Sequence, residues 1–179
     1  MQSTKLLLLA TICAGALPAA PLRVAIVGLN HGHISGFLNG GNLVVQYQSG
    51  EFDHNLGPYP YALSVPGRIP ERVVDETSPV TFNSKDPLLS WPNQITPADF
   101  DGWVEERGHS FIQTWDPRYT APTETHDPGQ DPQRGGLLYA RVGKGTYIYV
   151  AFALYRETPE AVPGAYRLLA NLISAGSRP

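Results

Sequence analysis

A chain of 179 residues with 42% hydrophobic side chains can bury one core, and its net charge of -3 excludes a broad basic surface for nucleic acid. The 17 prolines and 18 glycines are many for an α/β fold and call for long connections. The only cysteine is Cys13, so a mature form lacking its first residues has no disulfide, no thiolate metal ligand and no cysteine nucleophile.

The chain opens on what reads as a secretory signal. Lys5 precedes an apolar run from Leu6 to Leu17, and Ala14-Gly15-Ala16 offers a small-residue cleavage site. About 12 apolar residues are too few to cross a bilayer, and no later stretch is long and apolar enough to span one. Residues 1–20 are therefore expected to be a signal peptide, which makes the protein secreted or periplasmic, and residues 21–179 a single α/β domain.

Leu22 to Gly28 is a β-branched run ending in glycine, as a buried parallel strand would be, and Leu43 to Tyr47 is a second one. They fit as parallel neighbours only if Ile34 to Asn39 forms a very short crossover helix. From Gln48 to Thr96 the chain is rich in turn-forming residues. Its brief runs at Arg72-Val73-Val74 and Pro79-Val80-Thr81-Phe82 predict extended segments, with room for one hairpin. Thr96 as N-cap, Pro97 at the first helical position and Asp99 in the first turn predict a helix from Pro97 to Arg107, with Phe100, Trp103 and Val104 on one face. Leu137 to Val142 and Thr146 to Leu154 flank Gly143-Lys144-Gly145 as a hairpin with a three-residue turn. After Pro163, Ala165, Leu168, Leu169, Leu172 and Ile173 follow helical spacing up to Gly176. Together these elements predict an α/β fold, with a small, mainly parallel sheet, an antiparallel hairpin, long loops and a C-terminal helix.

Several stretches carry a resemblance to a known family. They include Gly40-Gly41-Asn42-Leu43-Val44-Val45-Gln46-Tyr47, Val73-Val74-Asp75-Glu76-Thr77-Ser78-Pro79-Val80, Ile95 to Trp103, Trp115-Asp116-Pro117-Arg118-Tyr119, His126-Asp127-Pro128-Gly129, Gln133 to Leu138 and Pro163 to Leu168. In this order, over residues 40–174, they resemble the C-terminal accessory region of bacterial PIG-L (LmbE-like) deacetylases. That region is similar to a glutamine-amidotransferase-like (ThuA-like) fold, so the resemblance implies a partial flavodoxin or amidotransferase sheet. The family's zinc sits in a separate catalytic domain with a His-Pro-Asp-Asp-Glu motif, which this sequence lacks. Asp53-His54 and His126-Asp127 do not supply three ligands and a base. No catalytic residue and no metal ligand is assigned, and no cofactor is expected.

A shorter stretch, Arg23 to His33 with Gly36-Phe37-Leu38, resembles the opening strand and turn of Gfo/Idh/MocA sugar oxidoreductases. Gly28 and Gly32 are weak candidates for cofactor contact, because such glycines let a backbone approach a pyrophosphate. Asn30 replaces the usual glycine, and the rest of the nucleotide domain is missing. The two resemblances meet near Phe37 to Gly41, which raises a separate origin for residues 21–39. A natural fusion, a truncated gene product and an assembly artefact all fit that junction.

Candidate ligand-binding residues are Trp115, Arg118, Tyr119, His126, Asp127 and Arg134. Aromatic faces match the C–H face of a sugar ring, and Trp91, Trp103 and Trp115, with Tyr47, Tyr59, Tyr61 and Tyr119, put many aromatics near the loops. His126, Asp127, Asp131 and Arg134 crowd one proline-rich loop, where an Arg among carboxylates serves a ligand or orders the loop. His31 and His33, one residue apart, read as a polar turn rather than a metal site. The reading is an exported, non-catalytic, carbohydrate-associated module, with carbohydrate or a separate deacetylase catalytic domain as partner. A zinc-dependent N-acetyl-sugar deacetylase completed by another chain is the first alternative, and an NAD(P)-dependent oxidoreductase fragment the second.

Overall fold

The computed structural model describes residues 24–27, 41–46, 57–63 and 71–176. The signal segment, the Ile34 to Asn39 helix, Gly28, Gly32, His31 and His33 lie outside the described residues.

The chain is a mixed α/β structure of small sheets and few helices. Its central sheet takes β1 (Val24–Val27), β2 (Asn42–Gln46), β9 (Leu137–Val142) and β10 (Gly145–Val150), in the order β1-β2-β10-β9. β1 and β10 both run parallel to β2, with Val24 and Thr146 each opposite Asn42, while β9 pairs antiparallel with β10. The sheet is therefore mixed. Around it lie three antiparallel ribbons: β3 (Tyr61–Ala62) with β7 (Thr114–Trp115), β4 (Glu71–Val73) with β6 (Gly108–Phe111), and β5 (Val80–Phe82) with β8 (Thr123–Thr125). The helices are α1 (Pro87–Ser90), a 3-10 turn (Pro97–Phe100), α2 (Leu154–Glu157) and α3 (Pro163–Ser174).

Strand periodicity explains why the sheet is covered on both faces. Val44, Ile148, Val150 and Leu137 point to one side and meet Ala165, Leu168 and Leu172 of α3, Leu88 and Leu89 of α1, and Phe100. Leu43, Val45, Tyr147, Tyr149 and Leu138 point to the other side and meet Leu63, Val73, Phe111, Ile112 and Tyr119. Every residue of β10 is buried, which fits a strand covered on both faces.

Three local expectations change. The hairpin turn holds two residues rather than three, since Val142 pairs with Gly145; Gly143 at φ 57° takes the first central position, as in a type II′ turn. β10 ends at Val150, where Phe152 bridges to Gly108 and Leu154 begins α2, so the apolar run to Leu154 is not one strand. The runs at 71–73 and 80–82 do not form a hairpin with each other but pair with β6 and β8.

The helix expected over Pro97 to Arg107 stops at Phe100. Its start is as anticipated, with the Asp99 carboxylate accepting from both the N–H and the hydroxyl of Thr96. The continuation fails because side chains capture the backbone groups that would propagate it. The Trp103 indole N–H donates to the Asp99 carbonyl at 2.9 Å, where the next helical amide would have bonded. Glu157 takes the Val104 N–H at 3.0 Å, and Arg107 donates to the Phe100 carbonyl. Asp101 is extended and Gly102 sits at φ 71°.

Candidate functional site

The β3–β7 ribbon brings the aromatic candidates together. Tyr61 lies opposite Trp115 in register, and the loop after β7 carries Asp116, Arg118 and Tyr119 back over the ribbon. Tyr119 is buried, with its hydroxyl donating to the Tyr59 carbonyl at 2.9 Å and accepting from the Tyr59 N–H. Its ring makes edge contacts with Tyr59 and Tyr61 at centroid distances of 5.7 and 6.1 Å. Burial pushes the Tyr119 phenol above its ordinary pKa, so it stays a neutral hydrogen-bonding group. Tyr119 is thus a framework residue beneath the surface.

Above it, Arg118 grips Asp116 with two hydrogen bonds, Nε to Oδ1 at 2.7 Å and Nη2 to Oδ2 at 2.8 Å. The same guanidinium lies over Tyr59, its central carbon 3.7 Å from the ring centroid. These bonds from Arg118 hold the Asp116 carboxyl down to about 2, against an ordinary value of 3.8. Arg118→Ala should return that pKa towards 3.8, and a carbon-detected NMR titration of the Asp116 carboxyl would show it. An unchanged titration would mean that the pair does not persist in solution.

Beside this pair is an open groove of about 310 Å³, lined by Pro60, Tyr61, Ala62, Thr114, Trp115 and Asp116. Two half-buried aromatic rings and a fixed carboxylate therefore share one surface. Among the described residues, this is where Trp115, Arg118 and Tyr119 of the expected ligand residues come together.

The His126–Arg134 loop does not form a comparable cluster. Asp127 is buried and accepts from the Val74 and Asp75 N–H groups at 3.0 and 2.9 Å, and from the Ser78 hydroxyl. It ties the turn after β4 to β8, and this bonding accounts for both of its oxygens. His126 places Nδ1 3.0 Å from the Asp127 carbonyl. Asp131 is exposed and Arg134 reaches only 4.0 Å from Glu124. Arg134 instead lines a second groove of about 470 Å³ with Phe82, Asn83, Asp86, Thr123 and Glu124, a site the sequence did not suggest. Its residues come from β5, β8 and the connections around them, and no local spacing marks them as neighbours.

Among the described residues no three His, Cys, Asp or Glu side chains gather closely enough to hold a metal ion, and no helix is long and apolar enough to cross a membrane. No protein-family model matches the chain, and no curated protein matches it.

Proposed function

We propose that this protein is an exported, non-catalytic carbohydrate-binding module, related to the C-terminal region of PIG-L deacetylases through a partial amidotransferase-like sheet. The observation that carries the reading is the groove beside β7, where Tyr61 and Trp115 lie side by side with the Asp116 carboxylate at the rim. A sugar ring laid on the indole would bury its C–H face, while its hydroxyls donate to a carboxylate kept ionised by Arg118. The surface is ordered before binding, because Arg118 stacks on Tyr59 and Tyr119 fixes Tyr59 from below. Preordering lowers the entropy cost of association.

Two features favour recognition over chemistry. Asp116 is a strongly acidic carboxyl, poorly matched to general-acid or general-base work near neutral pH. The groove is also shallow and open, with no second carboxylate among its lining residues.

Titration with soluble oligomers of N-acetylglucosamine, followed by amide NMR, tests the proposal. Saturable shifts should centre on Tyr61, Thr114 and Trp115, and Trp115→Ala should weaken binding about tenfold, worth roughly 1.4 kcal/mol. Its melting temperature should hardly change, because Trp115 is on a short outer ribbon. Shifts scattered elsewhere, or full affinity in Trp115→Ala, would overturn the assignment.

A further inference from the structure

The ion pair between Asp116 and Arg118 leaves some of its own hydrogen-bonding capacity unspent. A carboxylate oxygen can accept two hydrogen bonds, and an arginine Nη nitrogen can donate two. Oδ1 of Asp116 accepts from Nε of Arg118 at 2.7 Å and from the Arg118 backbone N–H at 3.0 Å, so it is filled. Oδ2 accepts from Nη2 at 2.8 Å and has no other partner among the described residues. That bond uses one of the two Nη2 hydrogens. The fork geometry of a bidentate pair sends the second hydrogen and the second Oδ2 lone pair out along one shared edge. The edge therefore offers one donor and one acceptor side by side, 2.8 Å apart.

Neighbouring bonds hold this edge in place. The Asp116 N–H donates to the Pro60 carbonyl at 2.9 Å, and the Asp116 carbonyl accepts from the Tyr119 N–H at 3.0 Å. Tyr59 backs the guanidinium, and the Tyr119 hydroxyl bonds both the N–H and the carbonyl of Tyr59. A ligand can also reach it. Asp116 lines the groove beside Trp115, and the Arg118 side chain is 58% exposed.

The pattern on the edge decides which ligand group matches it. An ammonium supplies only donors and a carboxylate only acceptors, so each would satisfy half of the edge. The two protein charges also offset each other, which leaves no net charge for a ligand to neutralise. A vicinal diol with gauche hydroxyls meets both demands, since its oxygens lie about one hydrogen-bond length apart. One hydroxyl donates to Oδ2 while its neighbour accepts from Nη2.

We infer that the Asp116–Arg118 edge reads an unsubstituted vicinal diol, so that Arg118 contacts the ligand itself as well as supporting Asp116. This inference rests on the carbohydrate reading of the groove and narrows it to a class of sugar. In a 4-linked N-acetylglucosamine chain, internal rings have their 4-oxygen in the linkage and nitrogen at position 2. A free vicinal diol therefore occurs only on the ring at the non-reducing end. The site takes the ends of such chains rather than their interiors.

The probe is the 4-linked trimer of N-acetylglucosamine as its methyl glycoside, compared with the same trimer lacking the terminal 4-hydroxyl. Both keep every ring intact for stacking on the indole, and only the first has a vicinal diol. The complete trimer should give saturable amide shifts at Trp115, Asp116 and Arg118, and the deoxy trimer should bind about tenfold more weakly. Arg118→Lys, on an exposed side chain, should lose about tenfold for the complete trimer and little for the deoxy one. Lysine keeps the positive charge beside Asp116 but not the planar fork that aims a second N–H along the edge. Equal affinity of the two trimers, or full affinity in Arg118→Lys, would sink this inference and leave the sugar reading standing. No binding of the complete trimer would remove the sugar reading and this inference with it.

Discussion

Arg107→Ala should cost roughly 3 kcal/mol of stability, among the largest losses expected for any single side chain of this protein. Arg107 is 3% exposed, yet among the described residues it has no salt bridge. Its Nε donates to the Ser78 carbonyl at 2.8 Å and its Nη1 to the Phe100 carbonyl. The guanidinium centre lies 5.8 Å from the Phe100 ring and 5.5 Å from the Trp103 ring. Truncation would leave two carbonyls without their donor and open a void against two aromatics. At this chain length that corresponds to a fall of roughly 6–12 °C in melting temperature. Lysine should recover only part of it, because one ammonium cannot reproduce the planar fork between two separate carbonyls. Chemical denaturation with an unchanged m-value would measure the effect, and a loss under about 1 kcal/mol would show that the buried cation is not what joins these segments.

The same variant should show an altered pH dependence. Glu157 is completely buried, with Oε2 accepting from Val104 and Oε1 unpartnered. Burial raises its pKa above the ordinary 4.5, and the positive charge of Arg107 works against that rise. A carboxyl with a raised folded pKa binds its proton more tightly in the native state than when unfolded. Its contribution to stability is complete below the unfolded value and is lost as pH rises through the folded one. Without Arg107 the folded pKa climbs further, so the penalty at neutral pH grows. The deficit of Arg107→Ala relative to the parent protein should therefore be smaller near pH 5 than near pH 7.

Arg107 also shows why part of this fold was readable from the sequence and part was not. The β9–β10 hairpin and the apolar stripe of α3 are local patterns, since a glycine turn between β-rich runs and a helical spacing each involve residues close in the chain. The segment from Thr96 to Arg107 has equally good local signals for a helix, and the capping carboxylate of Asp99 forms as expected. Its later turns are undone by groups far away in sequence, with Glu157 bonding Val104 and Arg107 bonding Ser78. Propensity contributes only tenths of a kcal/mol per residue, so a few buried hydrogen bonds outweigh it. The ribbons β4–β6 and β5–β8 were hidden for the same reason, since each strand's partner lies well along the chain.

The candidate site divides along that line too. Trp115, Arg118 and Tyr119 were legible as a cluster because they follow one another, and their arrangement around Asp116 is made within a single turn. Tyr61 and Tyr59 could be named as aromatics but not placed, because only the fold sets Tyr61 beside Trp115 and Tyr59 against Tyr119 and Arg118. Asp127 looked like a ligand group for want of any sequence sign that Val74 and Asp75 would turn their amides towards it. Thr123 and Glu124 carried no sign at all.

Gly164→Ala should destabilise the protein by about 3 kcal/mol, opposite in sign to what helix propensity alone dictates. Gly164 is the second residue of α3, and in an exposed helix replacing glycine by alanine gains up to about 1 kcal/mol. Here a Cβ would stand 1.8 Å from the Asp99 carbonyl oxygen and 2.4 Å from its carbon. Both are backbone atoms, so no side-chain rotation relieves the clash. The 3-10 turn is held in turn by its own bonds, with Trp103 donating to that same Asp99 carbonyl and Arg167 bonding the Asp99 carboxylate at 2.6 Å. To admit a methyl group, α3 must move away from the turn and loosen the packing of its own Leu168 in the core cluster that also holds Phe100. Gly102→Ala serves as the control, because a Cβ there meets nothing within 4 Å and only its φ of 71° is strained, at roughly 1 kcal/mol. Thermal and urea unfolding of both variants should place Gly164→Ala well below Gly102→Ala. If Gly164→Ala equals or exceeds the parent in stability, α3 does not sit against Asp99 as described, and the covering of that face of the sheet must be drawn differently.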